Sequence, residues 1–295
     1  MLLLHRTFFY RRTLLYRLRK DQITYQQILV AEGSPFGNYY TLGNYDIATI
    51  KGIEISYTMR RIERFKADAN ISFTSGDGTG SFPNSNRGIV GAPLDPLLTP
   101  GGFTPVYISP LEYNQTVRTA LNLDYRWGKG DGGPVLQELG ITLLGQFSSG
   151  HPFTQGVGSG SLEGDARFRQ PIEPLNTSST PSTYQLDMRI DKTFNIADMF
   201  NLNIYFNVIN LLNTENIYNV FMRTGAANDD GYLSDPNQGG KQIATFGPDY
   251  AAVYSALNLD YHQEWYNATT GAAYTTQPVI YGPPRQIRFG IRLEY

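Results

Sequence analysis

The chain has 295 residues, a formal net charge of −2 and no cysteine, with 17% charged and 13% aromatic residues. The near-neutral balance gives no reason to expect nucleic acid as a partner. Without cysteine there is no disulfide framework, zinc-thiolate site or cysteine nucleophile, and no uninterrupted apolar run of about 18 residues is present to make a membrane-spanning helix. That length suffices for one large β domain or two small ones, and barrel strands would escape a hydropathy scan.

Met1–Leu4 starts like an export signal, but His5, Arg6, Arg11 and Arg12 interrupt it and no apolar core or cleavage site follows. Phe8, Tyr10, Arg12, Leu14, Tyr16 and Leu18 share one parity instead, so the chain is expected to begin inside a strand and to be a fragment. The first strand is expected over about 7–28, and a second over 45–60, with Ile53, Ile55, Tyr57 and Met59 opposite Glu54, Ser56 and Thr58. A charged turn at Arg61-Ile62-Glu63 leads to strand three, 64–75, where Phe65, Ala67, Ala69, Ile71 and Phe73 oppose Lys66, Asp68, Asn70, Ser72 and Thr74. Residues 76–112 read as a long Gly/Pro/Asn-rich loop.

Strand four, 113–127, sets Val117, Thr119, Leu121, Leu123, Tyr125 and Trp127 against Arg118, Asn122, Asp124 and Arg126. After a turn at Gly128–Pro134, strand five covers 139–149, followed by a polar loop over 150–182. Strand six, 183–196, alternates Tyr184, Leu186, Met188 and Ile190 with Gln185, Asp187, Arg189 and Asp191. Ile196–Met199 is a short turn into strand seven, 200–212. The longest loop, 213–284, holds a possible short helix over 248–265. The last strand, 286–295, alternates without a slip: Ile287, Phe289, Ile291, Leu293 and Tyr295 against Gln286, Arg288, Gly290, Arg292 and Glu294.

About eight segments of period two, each about 9–11 residues at the core and joined by turns that alternate short and long, have the rhythm of an outer-membrane β-barrel. The fold class is therefore expected to be all-β, an antiparallel transmembrane barrel segment with short periplasmic turns and long extracellular loops, its apolar face in outer-membrane lipid. Lys51 and Lys192 fall on the apolar parity near expected strand ends, from which a lysine reaches water; Arg12 has no such escape.

Leu186–Phe194 with Tyr205–Asn213, Lys51-Gly52-Ile53-Glu54, and Gly282–Gln286 before the final strand resemble the C-terminal barrel of TonB-dependent outer-membrane receptors, Bacteroidetes-like ones above all. That resemblance implies a parent barrel of about 22 strands closed by an N-terminal plug. It also implies energised uptake of a small nutrient ligand, no enzymatic activity and no cofactor. The TonB complex would be engaged only through a plug that eight strands leave no room for, so the partners become lipid, the missing strands and plug, and the barrel-assembly machinery. Phe289, Ile291, Leu293 and Tyr295 look like the assembly signal read by that machinery.

Candidate lumen-lining residues are Arg118, Asp124, Arg126, Asp187, Arg189 and Asp191; a mixed-charge, hydrogen-bonded interior is an equal account of them. Tyr39, Tyr40, Tyr107, Tyr232, Tyr250, Tyr254 and Tyr266 are candidates to stack on a ligand from the loops. His5, His151 and His262 have no metal-ligand spacing, and Asn228-Asp229-Asp230-Gly231 is a turn before it is a calcium loop. Alternatives are a self-contained small barrel with a structural or adhesion role, a barrel enzyme, and a soluble β-sandwich.

Overall fold

The computed structural model describes residues 8–28, 39–83, 107–157, 170–196, 200–256 and 280–294. Eight long strands run β1 (Phe8–Ile28), β2 (Tyr39–Ile62), β3 (Phe65–Gly78), β4 (Val117–Arg126), β5 (Leu139–Ser148), β6 (Thr183–Ile196), β7 (Phe200–Ile209) and β8 (Gln286–Glu294). Each pairs antiparallel with its neighbour in sequence, forming a single meander. Among the described residues no ladder joins β8 to β1, so the sheet has two edges. No described helix is long and apolar enough to cross a membrane, which says nothing of strands.

Register decides which side chains share a face, because partners across a ladder project the same way. Leu14, Ile53, Phe73 and Val117 form one such row. Ala67, Leu123, Leu143, Met188, Val208 and Ile287 form another. The apolar parity of every strand thus joins its neighbour's without a break. This face is open: Leu14 is 80% exposed, Ile291 62% and Phe206 37%. An apolar surface spanning eight strands far exceeds the few hundred Å2 that soluble monomers tolerate, and lipid is the solvent that suits it. Phe65, Tyr125, Trp127, Phe194 and Phe200 rim it at one end, as an aromatic girdle does.

The connections at that end are short: Glu63–Arg64, residues 127–138 with a single helical turn at Gly133–Leu136, and residues 197–199. Glu63 takes φ 51, the left-handed conformation that lets the chain reverse there. The connections at the other end are long, as the sequence rhythm implies.

Several strand limits differ from the sequence reading. β1 and β2 pair far past the apolar band, β2 starting at Tyr39 rather than 45, with a bulge between Arg19 and Gln22. β3 continues through Gly76 and Gly78, which composition alone assigns to loop. A Cβ at Gly78 would lie 2.7 Å from the Ile47 carbonyl, so the missing side chain is what lets the strands approach. β4 starts at Val117, because residues 111–116 turn; β7 stops at Ile209, where Asn210 adopts φ 56.

The loop-side segment is also more ordered than its composition suggests. It carries helices α1 (Gly239–Phe246) and α2 (Pro248–Ser255). The sequence pointed to 248–265 and missed α1, whose first turn is Gly239-Gly240, poor helix formers. Phe221, Ala227 and Ile280, backed by Ile217 and Tyr281, make a small core there. Asn210, 1% exposed, ties it to the sheet through the Thr214 and Pro283 carbonyls at 2.9 and 3.2 Å.

Candidate functional site: a charged belt and an aromatic ladder

The polar face of β4–β7 carries a belt of ion pairs near the short-turn end. Arg126 on β4 donates two hydrogen bonds, 2.8 and 2.9 Å, to Asp191 on β6. The two residues are separated by a whole strand, and Gly140 of β5 is the register partner of both. A Cβ at Gly140 would fall inside the Arg126 guanidinium, so the bare glycine is the seat across which the arginine reaches. Arg189 approaches Asp191 at 3.7 Å and lies over the Tyr205 ring at 4.7 Å. Asn203 donates to Asp191 at 3.4 Å. Asp124 accepts from Thr142 at 2.8 Å and pairs with Arg61, with Arg126 at 4.0 Å.

Asp191 is 5% exposed, and these donors supply the hydrogen bonds and counter-charge that a buried carboxylate needs. Gly140→Val is expected to expel the guanidinium and separate the pair. The folded band of a heat-modifiability gel should then be lost at a lower temperature, as for a variant lacking Asp191.

Of the six candidate lumen residues, the register gathers Asp124, Arg126, Arg189 and Asp191. Arg118 stands apart, bonded to Gln115 near the β4 start. Asp187 also stands apart, accepting from Gln185 at 2.8 Å and from the Asn210 N–H at 2.8 Å, which fixes the turn after β7. Sequence reasoning missed Arg61, Thr142, Asn203 and Gly140. The charged turn at Arg61 was the available signal; the others need three strands in register. Beside the belt, Arg64 and Asp131 pair across two short turns at 2.6 Å, holding the Asp131 carboxyl below its ordinary range.

At the opposite, long-loop end, α1 and α2 build an aromatic ladder. Phe246, Tyr250 and Tyr254, four residues apart, stack with centroid separations of 6.0 and 6.5 Å. Tyr232 stacks on Tyr254 at 4.7 Å, its hydroxyl 3.1 Å from that of Tyr250. The Tyr254 hydroxyl donates to Asp230 at 2.5 Å, while Asp229 and Asp230 accept the N–H groups of Gly231 and Tyr232 at 2.8 and 2.9 Å. The 228–231 segment is thus a carboxylate-braced turn.

Three of the seven candidate tyrosines meet here. Tyr107, 59% exposed, makes no ring contact among the described residues, Tyr39 and Tyr40 open β2, and Tyr266 lies outside the described residues. The outer end of the ladder is open, with Phe246 67% exposed.

Burial first, then the Asp230 bond, raises the Tyr254 phenol above its ordinary value. A raised value favours the neutral phenol in the folded loop. Its stabilisation is therefore present below about pH 10, the ordinary phenol value, and lost as pH rises from there through the raised value. The near-ultraviolet dichroism of the ladder should fade in that alkaline range while the strand signal persists, and Tyr254→Phe should reduce the dependence to the part carried by Tyr232, whose phenol the Tyr250 hydroxyl bond also raises.

Among the described residues no group of His, Asp or Glu has the geometry to hold a metal. His151 Nδ1 lies 3.2 Å from the Thr180 hydroxyl; His5 and His262 lie outside the described residues. Phe289, Ile291 and Leu293 stand on the apolar face of β8, 66%, 62% and 60% exposed, and Tyr295 lies outside the described residues.

A continuous apolar face, a mutually paired polar face, short turns at one end and long loops at the other define a segment of an antiparallel transmembrane β-barrel. No family model and no curated protein matches the chain. Among solved structures it is similar to the outer membrane transporter YddB from Escherichia coli, with TM-score 0.47 and 16% identity. The likeness covers 72% of this chain and 27% of that one, so the chain spans little more than a quarter of the transporter's length.

Proposed function

We propose that this chain is the C-terminal barrel part of a TonB-dependent receptor of a bacterial outer membrane, serving energised uptake of a small nutrient ligand. The observation that carries it is the division of labour between the two ends of one sheet. One end has short turns and a closed ion-pair belt; the other has long loops bearing an open aromatic ladder. A purely structural barrel has no need of a four-ring ladder held on braced helices above the membrane, whereas a receptor needs contact surface there.

In this account the polar face borders a lumen, the missing strands pair with β1 and β8, and the plug and its TonB contact belong to the parent protein. Unpaired strand edges in lipid cost several kcal/mol for each exposed backbone group, so both edges need partners. Phe289, Ile291 and Leu293, with Tyr295, serve as the assembly signal.

The test is the reading frame upstream of Met1. An in-frame continuation into further strands, a plug and an export signal supports the proposal. A stop codon and a start site directly before Met1 contradicts it, and favours a self-contained small barrel.

A further inference from the structure

Three cations interrupt the apolar face, and the structure treats one of them differently. Arg12 lies over the Tyr10 ring at 4.8 Å and bonds its hydroxyl. The Lys192 ammonium donates to the Gln137 carbonyl and lies 5.4 Å from the centre of the Phe194 ring. Lys51 is exposed and has no hydrogen bond, ion pair or ring contact among the described residues. The nearest carboxylate along its face, Asp77, accepts from the Ser75 hydroxyl at 3.3 Å and makes no ion pair with Lys51. Asp46, further up the hairpin, is buried and accepts from Thr79 at 2.9 Å.

Lys51 is not at a strand end, as the sequence reading placed it, but inside β2, level with the point where this face turns polar on β3 at Ser75 and Asp77. Its register partners are Tyr16 on β1 and Ser75 on β3. From Ile62, beside the short turn, the chain climbs to Lys51 by about 36 Å of strand, or roughly 27 Å along the membrane normal at the usual tilt. That height matches the roughly 25 Å band of a barrel, so Lys51 sits at the headgroup level on the long-loop side. Directly below it lies the apolar row of Leu14, Ile53 and Phe73, which are 80%, 45% and 46% exposed. These residues, with Tyr16, Lys51 and Ser75, border an open depression of about 530 Å3.

We propose that Lys51 with Tyr16 forms a binding site for an anionic, phosphate-bearing lipid. The ammonium and the Tyr16 hydroxyl take the phosphate, and an acyl chain lies along Leu14, Ile53 and Phe73. Basic residues at headgroup level recognise such lipids by this chemistry. A phosphate gives Lys51 the counter-charge that Gln137 and Tyr10 give Lys192 and Arg12 the equivalent of from within the protein. The site rests on the membrane placement of the apolar face and not on the transport role.

The test is native mass spectrometry of the complete barrel that contains this chain, purified in micelles and titrated with dioleoylphosphatidylglycerol or dioleoylphosphatidylcholine. The protein should retain one phosphatidylglycerol in preference to phosphatidylcholine. Lys51→Gln should weaken that retention about fivefold, the effect of one basic residue at an anionic surface. Lys51→Arg should preserve it, and Lys192→Gln should leave it unchanged. Ile53→Trp fills the acyl track without altering charge and places an aromatic where interfaces favour one, so it tests the site even if Lys51→Gln fails to fold. It should lose the preference too. Wild-type retention in either Lys51→Gln or Ile53→Trp would overturn the proposal, as would equal binding of the two lipids. Displacement of the lipid by millimolar inorganic phosphate would show a free-phosphate site and overturn it as well.

Discussion

Leu121→Arg is expected to weaken folding into bilayers by about 2–4 kcal/mol, the cost of placing an arginine near the membrane midplane. Leu121 stands 39% exposed on the apolar face of β4, beside Ala69 and Gly145, with no polar neighbour in its row. Its neighbour Asn122 projects from the opposite face, in a row with Asp68 and Leu144. Asn122→Arg should therefore change stability by less than about 1 kcal/mol, since Asn122 is only half-buried on the polar face and its cross-strand partner Asp68 offers the new guanidinium a carboxylate. The measurement is urea-dependent folding of the complete barrel that contains this chain into phosphatidylcholine vesicles, followed by heat-modifiable gel migration. Two adjacent residues on one strand should thus differ by a factor of at least roughly 5 in folding equilibrium. Equal effects at the two positions would mean that the strand does not present one face to lipid.

The second large effect belongs to the belt. Asp191→Ala removes the acceptor of both Arg126 bonds, the 3.7 Å approach of Arg189 and the bond from Asn203. Breaking a buried pair by removing one partner costs roughly 3–5 kcal/mol because the other charge is stranded. The Arg126 side chain is 36% exposed and can turn toward solvent, so about 2–3 kcal/mol is expected. Arg126→Ala alone should cost less, because Arg189 and Asn203 still serve Asp191. The double variant should be less damaging than the two single losses added, with a coupling of about 1–2 kcal/mol in the same vesicle assay. Additive losses would show that the two side chains do not meet.

The strands and their facing were legible because period two is a local property. In β3 each of Phe65, Ala67, Ala69, Ile71 and Phe73 announces its side independently of any other strand. A one-residue slip would also carry Lys66, Asp68 and Asn70 into lipid, so the pattern tolerates little ambiguity.

What sequence could not supply depends on register between strands. Arg126, Gly140 and Asp191 lie far apart in the chain and share a row only because β4, β5 and β6 pair as they do. The polar parity named Arg126 and Asp191 as candidates but could not say that they meet, or that Arg118 and Asp187 do not join them. The paired glycines at the end of β3 were hidden for a different reason: glycine carries no periodicity, and its use at Gly78 is to admit the Ile47 carbonyl. The aromatic ladder was half visible. Tyr250 and Tyr254 carry helical spacing, but Tyr232 reaches them through a turn that only the Asp229 and Asp230 bonds fix.

The central claim is that one face of this sheet lies in lipid and the other lines a polar interior. The chain contains no cysteine, so single cysteines can be introduced and spin-labelled one at a time without background. Positions 69–73 of β3 would be labelled singly in the bilayer-inserted barrel that contains this chain, and collision with oxygen, which partitions into lipid, compared with collision with a water-soluble nickel chelate. The account predicts oxygen-dominated collisions at Ala69, Ile71 and Phe73 and nickel-dominated collisions at Asn70 and Ser72. Five positions with the same accessibility to both reagents, or the opposite alternation, would contradict it.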